Sequence, residues 1–254
     1  MIKIAFTSPW GTSGEELLKS YKLLTPNNDG IWKDLVGVAS VYDADWIVAS
    51  DDIDQNIDLS KIDKNKIILI ERDPLWVRNR PLQWDRHQTK YKFRHSLGET
   101  YLLSGWSWKH NYKQIKNFQR KERNKKICAI LTNKRMCAGH MKRLRFVKFF
   151  CNKYPGVLDV YGTGMSNEGL GADFKGESIF GDFKKLDWLE QYDYALCLEN
   201  GQSNGYFTEK IVDAFAARTF PIYWGAQDVN KYFSDKSYHE INIETPSSLR
   251  QLKE

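Results

Sequence analysis

A chain of 254 residues is long enough to bury a sizeable core, either as one α/β domain or as two small ones. Its 41% hydrophobic content and nine tryptophans exclude a disordered chain. A net charge of +6 asks for an anionic partner, whether a nucleotide, a nucleic acid or a membrane surface, and does not choose among them.

The opening MIKIAFTSPWG reads as a strand, Ile2 to Thr7, entering a turn. It lacks the apolar core of a signal peptide or a membrane span, so a cytoplasmic chain without a transmembrane segment is expected. A helical pattern around Leu17, Leu18 and Tyr21 follows, then a strand from Asp45 to Ser50. Two Asp-x-Asp pairs flank that strand, Asp43 with Asp45 and Asp52 with Asp54. Such pairs hold divalent cations against diphosphates in some nucleotide-sugar transferases. The first pair precedes its strand, where a metal pair does not belong. The second opens DDIDQNIDLSKIDKNK, whose Asp, Asn and Lys spacing reads as a solvated surface, so no metal is expected.

Lys66 to Ile70 is a third strand, closed by Glu71-Arg72-Asp73-Pro74. A carboxylate at the carboxyl end of a strand suits a cleft-facing catalytic group, and pairing of Glu71 with Arg72 or Arg78 explains it as well. Aromatic and basic residues crowd 76 to 112, among them Trp76, Arg78, Trp84, Arg86, Tyr91, Trp106 and Trp108. They suit a sugar-acceptor face, an RNA-stacking face or simply a core. Lys116 to Lys126, KNFQRKERNKK, is the most polar segment and reads as a linker between two lobes.

Beyond it come a strand at Ile127 to Leu131 and a helix from Gly139 to Lys153. That helix carries Leu144, Val147 and Phe150 on one face and Lys142, Arg143 and Arg145 on another. A strand at Val157 to Tyr161 ends in Gly162-Thr163-Gly164, which suits close approach to a ligand or a tight turn. A helix over Lys185 to Tyr192 leads to the strand Tyr194 to Leu198, with Glu199 and Asn200 at its end. After the loop Gly201 to Tyr206, Thr208 is placed to cap a helix carrying Ile211, Val212, Phe215 and Ala216, before the extended run Phe220 to Tyr223. Lys210 in the first turn opposes the helix dipole, which points to a nearby phosphate or to pairing with Glu199 or Glu209. A strand at His239 to Ile243 and a short helix at Ser247 complete the chain. Cys128, Cys137, Cys151 and Cys197 lack CxxC spacing and the histidines lack HExxH, so a reducing compartment and no structural zinc are expected.

The run ENGQSNGYFTEKIVDAF followed by FPIYWG resembles the signature of the fucosyltransferases of glycosyltransferase family 10, with the likeness close from Ile127 to Phe233. The resemblance implies a GT-B type α/β fold. Two Rossmann-like lobes, 1–117 on the acceptor side and 127–254 binding the GDP-sugar, would hold the active site in the cleft between them. It implies inverting transfer of L-fucose from GDP-β-L-fucose to an N-acetylglucosamine-type hydroxyl of a glycan, with α1,3 or α1,4 linkage and no metal or other cofactor. Glu71, or Asp73 in its stead, matches the general base. Arg143, followed by Phe146, and Lys210 match the groups that neutralise the diphosphate, and Asn200, Tyr206 and Glu209 match nucleotide-sugar contacts. Family members usually continue past this point, which leaves room for a missing or trimmed C-terminal helix. Another GDP-deoxysugar, a metal-dependent transferase using Asp52 and Asp54, and a basic RNA-binding protein are the rival readings.

Overall fold

The computed structural model describes residues 1–9, 11–71, 93–96, 111–120, 122–177 and 185–244. These form two compact units, one running from Met1 to Asn117 and the other from Phe118 onward.

The first unit contains β1 (Ile2–Thr7), α1 (Gly14–Leu24), β2 (Ile31–Trp32), β3 (Leu35–Gly37), β4 (Trp46–Ser50), β5 (Ile67–Glu71), β6 (Phe93–Ser96) and α2 (Tyr112–Asn117). Its sheet runs β2-β3-β1-β4-β5-β6, with only β2 antiparallel to its neighbour. Ala5, Ile47, Ala49, Ile67 and Leu69 alternate inward and form its core. α1 begins with a capping box in which Ser13 and Glu16 each satisfy the other's backbone N–H. From β3 to β6 the order is that of a doubly wound sheet, which opens a crevice at the carboxyl ends of β1 and β4.

Two expectations change in this unit. The Asp-rich segment is not wholly solvated. Ile53 enters the core, Asp52 is buried with Oδ1 accepting the Ile53 N–H at 2.8 Å, and the Asp54 N–H donates to Thr7 Oγ1 at 3.2 Å. The rest of it forms two 3₁₀ turns, Leu59–Lys61 and Lys64–Lys66, capped by Asp58 and Asp63. The third strand therefore starts at Ile67, after Lys66 has closed a turn. Asp73 and the aromatic and basic residues from Trp76 to Trp108 lie outside the described residues, save the β6 backbone.

The second unit contains β7 (Lys125–Ile130), α3 (Ala138–Lys153), β8 (Leu158–Tyr161), β9 (Phe174–Gly176), α4 (Lys185–Leu189), β10 (Tyr192–Leu198), α5 (Glu209–Ala216), β11 (Phe220–Trp224) and β12 (His239–Glu240). All pairs in the sheet β12-β11-β10-β7-β8-β9 are parallel. Read from its other edge, this is the order of a Rossmann sheet, with the topological switch between β7 and β10. Ile127, Ala129, Leu196, Leu198, Ile222 and Trp224 pack with Leu144, Val147 and Phe150 of α3 in one core.

α4 is shorter than the expected helix because Tyr192 already belongs to β10, where its hydroxyl donates to Asp159 Oδ2 at 2.6 Å. β12 is likewise short, and the Ser247 helix lies outside the described residues. The two units divide inside the polar run at 116–126; there α2 reaches Asn117, and Arg123 donates to the carbonyls of Tyr192 and of Ala217, the latter at 2.7 Å. All four cysteines are free thiols, and burial pushes Cys128, Cys151 and Cys197 up, Cys151 to about 12. Among the described residues no helix is long and apolar enough to cross a membrane.

Candidate nucleotide-binding site

The switch point of the second unit gathers charge. One residue past β10, the Glu199 N–H donates to Trp224 O at 2.9 Å and so extends the pairing with β11. Its side chain then turns inward and is fully buried. A buried carboxylate must be paired and hydrogen-bonded. Here it accepts from the Thr208 N–H at 2.8 Å, from Thr208 Oγ1 at 2.7 Å and from Lys210 Nζ at 3.0 Å. Thr208 does occupy the N-cap of α5, but its hydroxyl serves Glu199 and makes no capping hydrogen bond. Gly225 admits this carboxylate, since a Cβ there would stand 2.5 Å from Glu199 Cγ.

Lys210 therefore pairs in both of the ways its position allowed: Nζ lies 3.0 Å from Glu199 and 3.7 Å from Glu209 Oε1. Lys185, at the start of α4, reaches Glu209 Oε1 at 3.3 Å and Asp213 Oδ2 at 3.5 Å. Burial alone would raise the Glu209 carboxyl, yet Lys210 and Lys185 outweigh it and hold it far below the usual carboxylate range. Burial would likewise lower both lysines, and their carboxylates raise them instead.

Arg143 approaches from the opposite face of the sheet. The start of α3 lies against the Asn200 backbone so closely that a Cβ on Gly139 would meet Asn200 O at 1.8 Å. Further along the same helix Arg143 is 2% exposed, donating from Nη1 to Asn200 Oδ1 at 2.8 Å and from Nη2 to Thr132 Oγ1 at 3.4 Å. This corrects the helical face expected for it. Arg143 is buried beside Leu144, Phe146 and Val147, while Arg145 stays exposed, because the side chain of Asn200 receives the guanidinium. Among the described residues Arg143 makes no ion pair, and its Nε has no hydrogen-bond partner. Burial pulls its pKa down, and the more distant Glu199 opposes that pull. Ser203 Oγ and Trp224 Nε1 are buried and unpartnered in the same region of loop and strand end.

Cys137, which precedes α3, places Sγ 3.3 Å from Asn200 O and 3.3 Å from His140 Nδ1. Burial, aided by Arg143, depresses buried His140 to about 4, so its ring is neutral near pH 7. The glycines after β8 serve the adjoining loop: a Cβ on Gly162 would meet Leu131 O at 1.7 Å, and one on Gly164 the Asn133 side chain at 2.3 Å.

Arg143, Asn200, Tyr206, Glu209 and Lys210 thus fall together in the second unit, with the Tyr206 ring fully buried. Glu71 belongs to the first unit, where its backbone ends β5 opposite Ser96. The structure adds Glu199, Thr208, Lys185, Asp213 and Thr132, none of which spacing alone had marked as a site residue. The arrangement offers one cation without an ion-pair partner among the described residues, two lysines each shared between two carboxylates, and a carboxylate held ionised. Those are parts for binding a diphosphate and a polyhydroxylated group. Among the described residues no group of three or more His, Cys, Asp or Glu is gathered as metal ligands.

Residues 120–254 match the model of glycosyltransferase family 10 (fucosyltransferase), C-terminal part. The chain is 32% identical over 134 residues to the alpha-(1,3)-fucosyltransferase FucT of Helicobacter pylori, covering 48% of this chain and 26% of that protein. It is 27% identical over 151 residues to the putative fucosyltransferase R654 of Acanthamoeba polyphaga mimivirus, covering 58% of this chain and 24% of that one. It therefore spans about a quarter of the length of these curated relatives. A crystal structure of an alpha1,3-fucosyltransferase with GDP-fucose is 18% identical, with a TM-score of 0.49, covering 99% of this chain and 77% of that one.

Proposed function

This chain belongs to glycosyltransferase family 10, and from that premise we propose that it moves L-fucose from GDP-β-L-fucose to an N-acetylglucosamine-type hydroxyl of a glycan, with inversion and without a metal ion. The first unit takes the acceptor and the second holds the GDP-sugar. The observation that carries the reading is Arg143: a buried guanidinium with neutral hydrogen-bond partners, an unpartnered Nε and, among the described residues, no carboxylate within ion-pair distance, at the switch point of a Rossmann-ordered sheet. A cation left uncompensated in such a place suits a diphosphate.

In the reaction the base takes the proton of the acceptor hydroxyl as that oxygen attacks the anomeric carbon from the face opposite the diphosphate. The bond from the anomeric carbon to the β-phosphate oxygen breaks, and its electron pair leaves on GDP. Glu71 is the proposed base, because it ends a strand at the carboxyl edge of the first sheet. Arg143 stabilises the charge that grows on the leaving phosphate, and Lys210 adds to it from the first turn of α5. Asn200 holds the guanidinium in place, and Glu209, kept ionised by two lysines, accepts from ribose or sugar hydroxyls.

The test is GDP release from a panel of GDP-sugars with glycan acceptors, run with and without a chelator. GDP-fucose should be the preferred donor and chelation should leave the rate unchanged. Preference for another GDP-deoxysugar would reassign the donor, and loss of activity on chelation would overturn the metal-free mechanism.

A further inference from the structure

Lys185, Glu209, Lys210 and Glu199 form a line of alternating charge, with successive gaps of 3.3, 3.7 and 3.0 Å. Asp213 hangs on Lys185 at 3.5 Å. None of these side chains is more than a third exposed, the most open being Glu209 at 32%.

Within this line Glu209 is a difficulty for any donor that carries a diphosphate. It stands in the first turn of α5 beside Lys210, so an arriving anion meets a carboxylate next to the cation meant for it. Like charges brought together in a half-buried place repel strongly. Lys210 cannot relieve this alone, since Glu199, fully buried, already claims its ammonium at the shorter distance. Lys185 approaches Glu209 from another element, the start of α4.

We propose that Lys185 is a positioning residue of the donor site, which pins and neutralises Glu209 so that the diphosphate can approach Lys210 while Glu209 keeps its acceptors turned to a hydroxyl. The proposal rests on the GDP-sugar reading. Among the described residues, the charged and titratable groups facing Glu209 and its lysines include Lys210 and Asp213 on α5, Glu199 past β10, Lys185 on α4, and Arg143 on α3 at longer range. Without Lys185, Glu209 keeps, among the described residues, only a lysine that it shares. Its carboxylate then repels the nucleotide near neutral pH and takes up a proton more readily in mild acid.

Calorimetric titration of the whole chain with GDP, at about pH 7.5 and about pH 5, tests this, as does donor kinetics. Lys185→Met should weaken GDP binding by about tenfold or more at the higher pH, with turnover at saturating donor changed by less than about threefold. Lys185→Arg should bind within about threefold of wild type, because a guanidinium can bridge the same two carboxylates. The loss in Lys185→Met, relative to wild type, should shrink at the lower pH. Lys185→Met combined with Asp213→Asn should recover melting temperature and not GDP affinity, since Asp213 is served by the lysine for the fold and Glu209 for the nucleotide. Wild-type affinity in Lys185→Met, or its return in the double variant, overturns the proposal while leaving the donor assignment standing. A wild type that does not bind GDP overturns both.

Discussion

Arg143→Met should separate nucleotide binding from folding. The guanidinium is 2% exposed, and its two hydrogen-bond partners, Asn200 Oδ1 and Thr132 Oγ1, are both neutral. Burying a charge without a counter-ion costs several kcal/mol, of which hydrogen bonds to a charged group return about 1.5–3 kcal/mol each. A methionine of similar volume removes both terms, so the ligand-free fold should stay within about 1 kcal/mol of wild type or gain stability. A diphosphate, in contrast, loses its main cation, worth about 2–4 kcal/mol, or roughly 30- to 900-fold in GDP affinity. Thermal melts with and without GDP read both quantities. At a GDP concentration near a hundred times its Kd, wild type gains about 2.7 kcal/mol, a rise of roughly 5–10 °C for a chain of this size. At the same concentration the variant should gain less than about 1 kcal/mol, because its Kd has risen to about a third of the ligand present or beyond. A variant that melts far below wild type without GDP, and still shows the full rise with it, would make Arg143 a structural residue.

Lys210→Met strands the fully buried Glu199, so it should cost about 3–5 kcal/mol in denaturant titrations, with much of that recovered by Glu199→Gln in the same chain. A single variant as stable as wild type would show that Glu199 finds other support. Glu71→Gln should cut turnover and leave GDP affinity unchanged; weakened GDP binding instead would move the base elsewhere. His140 is depressed from 6.5 to about 4 in the fold, so the unfolded chain binds more protons between those values. Its contribution to stability is present above about pH 6.5 and drains away as pH falls toward 4. His140→Gln should flatten the acid limb of melting temperature against pH, and an unaltered limb would assign that limb to other groups.

The sheet of the second unit was legible because its strands are buried on both faces and so read as short apolar runs, YALCL and FPIYW above all. Thr208 was legible by position, since the polar loop and the apolar helix meet there. The partner of its hydroxyl was not, because Glu199 reaches it across a fold of the chain that spacing does not encode. Arg143 was legible only by family likeness. Helical periodicity places it with Lys142 and Arg145, and nothing local reveals that Asn200 waits at the end of a distant strand to receive it. Lys185 left no signal at all: a lysine opening a short helix is ordinary, and its meaning comes from two carboxylates of another helix. The same limit misread DDIDQNIDLS, where Ile53 enters the core and Ile57 and Leu59 pack against it, drawing in a stretch that reads as polar.

The grip of Arg123 on the Tyr192 and Ala217 carbonyls has a practical result for anyone dissecting the chain. It clasps the first residue of β10 to the residue just past α5, the strand and helix that frame Glu199 and Lys210. A fragment begun at Lys125, the tempting place to cut, would discard that clasp and loosen the nucleotide half from beneath. Boundaries drawn at Phe118 or earlier preserve it, and trypsin should spare the bond after Arg123 in the folded protein, because that side chain is already engaged.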